Sequence, residues 1–124
     1  MSAQKRVLLV PADLRLPLAM ILIEPTCEGI QRAVGGYFEV IPVRSVARDA
    51  ALYVDEEGIP KRLPLNQRLT AAIGIPTRGH RIYGDGFLAT EVPGYEGPEI
   101  SDMSPEELVY WLQWFVETCR GEAS

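Results

Sequence analysis

The chain has little of what most functional assignments start from. It holds one histidine, His80, and two cysteines, Cys27 and Cys119, in 124 residues. Two cysteines so far apart in sequence make neither a disulfide framework nor a zinc site. Both read as small buried apolar residues of a reducing compartment. There is no basic excess: 12 Lys and Arg stand against 17 Asp and Glu, a net charge of -5. That argues against a general nucleic-acid binder, which needs a basic face. No hydrophobic run is long enough to span a bilayer, since the longest, Leu16 to Ile23, is far too short. Lys5-Arg6 leads into only Val7 to Val10 before Pro11 and Asp13, which is not a signal-peptide pattern. Walker and dinucleotide fingerprints are both missing. The expectation is a cytoplasmic protein that meets no membrane, folded as one domain over residues 1–124. A chain this size buries roughly two thirds of its unfolded surface, enough for one core without staples.

What is present centres on Ala50 to Gly74. Ala50 to Val54 is an apolar, strand-like run. Asp55-Glu56-Glu57-Gly58 stops it, with Gly58 suited to a left-handed turn. Pro60 and Pro64 bracket Lys61 and Arg62 in an extended loop, because each proline removes a backbone donor. Asn66 caps a helix from Gln67 to Ile73 that Gly74 and Pro76 end.

The rest of the chain supplies sheet and two further helices. Val7 to Val10 reads as a buried strand, and Leu18 to Ile23 as a second strand-length run. Glu24-Pro25-Thr26 starts a helix whose stripe is Ile30, Ala33 and Val34, and Gly35-Gly36 stops it. Tyr37 to Val43 is β-rich, and Pro42 places it at a sheet edge or strand end. His80 to Tyr83 and Phe87 to Thr90 form a hairpin, or one strand broken by a glycine bulge. Pro93 to Pro98 reads as a loop. Ser104-Pro105-Glu106-Glu107 then combines a cap, a first-turn proline and a capping box. In the helix that follows, Leu108, Trp111, Leu112, Phe115 and Cys119 share one broad face, and Tyr110 and Trp114 project to another. A helix apolar this far round has two contacts, its own core and something else. The expected fold is α+β, a small, mostly antiparallel sheet packed against two or three helices.

Four segments, Gly29 to Val43, Leu52 to Gly58, Leu63 to Ala71 and, more loosely, Arg81 to Ala89, follow one another as in a known family. In that order the chain resembles a small domain of unknown function found mainly in tailed phages, actinobacterial genomes and mobile elements. The resemblance implies a phage or mobile-element origin and brings no catalytic residues with it. Its recurrent positions here are Gly35, Gly36, Tyr37, Asp55, Gly58, Pro64, Asn66 and Arg68.

Candidate sites follow from residue type. Gly35-Gly36 follows a helix, whereas a phosphate cradle precedes one, so these glycines read as a helix stop. Asp55, Glu56 and Glu57 are too few spaced ligands for a calcium loop and match a solvated turn, so no metal is expected. His80 lies between Arg78 and Arg81 with no identifiable nucleophile or orienting acid, which leaves general-base catalysis without support. No cofactor and no enzymatic activity is expected. The leading expectation is a phage or mobile-element accessory protein that binds a host, defence or phage protein, or a second copy of itself, through Tyr110, Trp111 and Trp114. The alternative is a small-molecule, perhaps nucleotide, binding or sequestering protein that uses Tyr53, Asp55, Asn66 and Arg68.

Overall fold

The computed structural model describes residues 4–79 and 81–121. The elements run β1 (Lys5–Val10), β2 (Ala19–Ile23), α1 (Cys27–Val34), β3 (Phe38–Arg44), β4 (Asp49–Asp55), α2 (Gln67–Leu69), β5 (Gly86–Gly94), β6 (Gly97–Ser101) and α3 (Pro105–Gly121). All strand pairs are antiparallel in one six-stranded sheet. Its order is β2-β1-β5-β4-β3, with β6 paired to the outer half of β5. This is the expected α+β arrangement of antiparallel sheet and helices.

Side chains on a strand alternate between faces, and both faces of this sheet are covered. On one, Leu8, Val10, Leu52, Val54 and Leu88 meet Leu69, Ile73, Trp111 and Phe115. On the other, Val7, Ala51, Tyr53, Phe87 and Ala89 meet Ile30 and Val34 of α1. β1 lies between β2 and β5, which is why Val7 to Val10 is apolar on both faces. β3 is an edge strand, and Pro42 is exposed on it, where a missing donor costs least.

The helix ends follow their local chemistry. Thr26 Oγ1 accepts from Gly29 N–H at 3.0 Å, and Gly35 closes α1 at φ 97°. Ser104 and Glu107 exchange both capping-box bonds, Glu107 N–H to Ser104 Oγ at 3.1 Å and Ser104 N–H to the Glu107 carboxylate at 3.0 Å.

Four local expectations need correction. Gly58 does not use a left-handed conformation; a Cβ there would lie 2.8 Å from the Tyr83 carbonyl oxygen, so it is the close approach that selects glycine. Gly74 and Pro76 do not end the helix after Asn66, because α2 runs on as a π-helix over Thr70–Arg78, whose wider turn carries the chain past both. Residues 81–83 form no hairpin with β5; Tyr83 instead makes a single bridge to Leu65. Pro93 to Pro98 is no loop but the tip of the β5–β6 hairpin, with Pro93 opposite Pro98. Prolines are tolerated there because the ribbon extends past the sheet body and its backbone faces solvent. Among the described residues, no helix is long and apolar enough to cross a membrane.

Candidate functional site

The polar residues of the central stretch turn inward. Asn66 is fully buried, and all its bonds go to the fold. Its Nδ2 donates to the carbonyls of Val10 at 2.9 Å and Gly84 at 3.0 Å, while Oδ1 accepts the Leu69 N–H at 2.9 Å. It caps α2 and ties the loop to β1 and to the approach to β5. Asp55 is buried and accepts from Lys61 Nζ at 2.8 Å and from the Glu57 N–H at 2.8 Å. Lys61 also donates to the Gly35 carbonyl at 3.1 Å, which joins the end of α1 to the central loop. The Asp55 carboxylate pushes the Lys61 pKa up. Arg68 donates to the carbonyls of Pro11 at 3.1 Å and Leu14 at 3.2 Å and holds the β1–β2 loop. Tyr53 stands apart from these three. Its hydroxyl donates to Glu91 at 2.5 Å, and burial, reinforced by that carboxylate, pushes its pKa up. The structure therefore does not gather Tyr53, Asp55, Asn66 and Arg68 round one cavity.

The aromatic residues of α3 pack into the fold as well. Trp111 is fully buried and is not on the surface; its indole N–H has no hydrogen-bond partner among the described residues. It meets Tyr110 and Trp114 edge to face at 5.1 and 5.3 Å. Tyr110 is half-buried, with its hydroxyl 2.5 Å from Ser45 Oγ and the Arg48 guanidinium 5.5 Å above its ring. That flank of α3 leans on the β3–β4 turn.

The opposite flank is uncovered. Val109, Leu112 and Val116 recur at helical spacing and are exposed. Beside them lies an apolar hollow of about 380 Å³, walled by Pro17, Leu18, Leu112, Phe115 and Val116 with Arg68 at its rim. Leu16 is exposed on the adjoining loop. Met20 and Leu22 of β2 pair in register with Leu8 and Arg6, so they share the sheet face on which α3 packs, and both are about half exposed. β2 ends the strand order, so its outer backbone edge pairs with no strand among the described residues. The α3 flank and the β1–β2 loop thus share one apolar hollow, and Met20 and Leu22 add exposed apolar side chains on the same face of the sheet. The sequence carried the signal in the breadth of the apolar arc of α3. Leu112 reads there as core and β2 as a second apolar run, because nothing local says which strand ends the sheet.

Among the described residues, no three His, Cys, Asp or Glu side chains come together as a metal site requires. His80 and the general-base question lie outside the described residues. Both cysteines are less buried than their residue type suggests. Cys27 is exposed in the first turn of α1, which presents its outer side to solvent, and Cys119 is half-buried near the end of α3 with its thiol 3.8 Å from the Arg68 carbonyl.

The model of a family described as a domain of unknown function, DUF3846, matches residues 5–115. Among solved structures, the chain is similar to the crystal structure of the small RNA methyltransferase HEN1, with a TM-score of 0.62 and 14% identity. The match covers 98% of this chain and 16% of that one, so the chain spans a small share of the other protein's length. At such identity the likeness is one of fold alone. No curated protein matches the chain.

Proposed function

The chain belongs to the DUF3846 family of domains of unknown function, and on that premise we propose that it is a non-enzymatic protein-interaction module. One observation carries the reading: the exposed apolar side chains of Val109, Leu112 and Val116 on α3, on the same side of the sheet as Met20 and Leu22 of the edge strand β2. A partner protein that covers this face gains apolar burial, on the order of 25 cal/mol per Å² before the costs of association. The free edge of β2 offers backbone donors and acceptors for an added strand. Tyr110 and Trp114 contribute from the other flank by fixing the angle of α3. The resemblance seen in the sequence adds a setting, in which the chain is a phage or mobile-element accessory protein acting in the host cytoplasm on a host or defence protein.

The test compares the two flanks. Leu112→Asp with Val116→Asp places two charges on the open face and leaves Trp111 and Phe115 in place. Affinity capture, followed by reconstitution with the purified partner, should show binding lost in this double variant and retained in Trp114→Ala. The reverse pattern, with both variants folded, would move the docking surface to the aromatic flank. Self-association lost in the double variant would identify the partner as a second copy.

A further inference from the structure

A separate groove of about 480 Å³ opens on the α1 side of the sheet, between the β3–β4 hairpin and the β5–β6 ribbon. Its size falls in the range of small-molecule sites. Pro42, Pro93 and Pro98 contribute apolar walls, and Arg44, Asp49 and Glu91 contribute charge. The strand register explains the arrangement. Pro42 and Arg44 alternate with the buried Ile41 and Val43, so they face away from α3. Arg44 is the register partner of Asp49 across the hairpin, and none of the ion pairs among the described residues joins the two. Glu91 is half-buried, and Tyr53, itself 5% exposed, fixes its carboxylate by donating a hydrogen bond. None of the ion pairs among the described residues includes Glu91.

A half-buried carboxylate held in one orientation and in no ion pair, in an apolar groove that carries two carboxylates to one guanidinium, is suited to receive a positive charge. We infer that this groove binds a small organic amine, an apolar body of roughly one aromatic ring carrying one protonated amino group, with Glu91 as the anionic contact and the proline walls round the body. A metal ion fits poorly, because a hard cation takes six or more oxygen ligands and the groove supplies two carboxylates, Asp49 and Glu91. An anion would meet two carboxylates for one guanidinium. The inference does not rest on the α3 face.

The probe is phenethylamine, with 2-phenylethanol as its uncharged counterpart, each titrated into isotope-labelled full-length protein. Amide shifts of Val43, Ala50, Gly94 and Gly97 are followed by NMR. The amine should shift these amides saturably and bind roughly tenfold or more tightly than the alcohol, the usual weight of one charged hydrogen bond. Glu91→Gln should erase that preference, and Tyr53→Phe, which keeps the charge but frees its orientation, should reduce it. Leu112→Asp with Val116→Asp should bind the amine as wild type does. Equal affinity for amine and alcohol, shifts scattered away from the groove, or an unaltered preference in folded Glu91→Gln would each overturn the inference.

Discussion

The central loop and the outer flank of α3 invert the usual division of residues. In the loop, Asp55, Asn66 and Arg68 are polar, and each is tied to backbone or to a partner charge inside the fold. On the flank, Val109, Leu112 and Val116 are apolar and exposed. A buried polar group is costly unless its bonds are made, so the loop residues act as brackets that hold segments distant in sequence. Exposed apolar area costs little to the isolated fold but offers free energy to whatever covers it. The comparison separates residues that build this protein from residues available to act.

Substitutions that break the loop should be felt as stability, and substitutions on the flank as assembly. The largest effect is expected for Asn66→Ala. It leaves the Val10 and Gly84 carbonyls and the Leu69 N–H without their partner, at about 3–5 kcal/mol in total. Chemical denaturation should show a lower midpoint with an unchanged slope. Gly58→Ala comes next, because the added Cβ would lie 2.8 Å from the Tyr83 oxygen. Overpacking of this kind costs about 1–3 kcal/mol, measurable by the same titration. Leu112→Asp with Val116→Asp should cost about 1 kcal/mol, since Val116 is 53% exposed and Leu112 37%.

The smallest effect concerns the link from β1 to the start of α3. Arg6 donates to Asp102 through both Nε and its terminal nitrogen, the shortest contact being 2.7 Å, and this holds the Asp102 carboxyl down to about 2. A depressed carboxylate stabilises the fold fully above its unfolded value, about 4. That contribution is lost as pH falls through about 2. Asp102→Asn should therefore lower stability slightly at neutral pH. The gap from wild type should close between pH about 4 and about 2 in thermal scans.

Much of the fold was legible because its signals are local. Thr26, Gly35, Asn66 and the Ser104–Glu107 box announce helix ends through the hydrogen bonds their own side chains or backbones can make. Pro42 announced an edge for the same reason. What escaped depends on distant partners. Pro93 and Pro98 look like a loop until they face each other across a ribbon. Gly58 looks like a turn glycine until Tyr83, far along the chain, arrives against it. The candidate site escaped in the same way. Aromatic residues drew the partner reading to Tyr110, Trp111 and Trp114, but a large ring in a small domain is also the best core filler, and Trp111 is fully buried. That Met20 and Leu22 stand beside the helix flank follows from strand order, which no single segment states.

The most direct test of the central claim is native mass spectrometry of the gently purified protein, wild type beside the Leu112→Asp and Val116→Asp double variant. The account predicts that wild type carries a second polypeptide, a different protein or another copy of itself, and that the folded double variant does not. A bare wild-type monomer, or a complex that survives both substitutions, would contradict it.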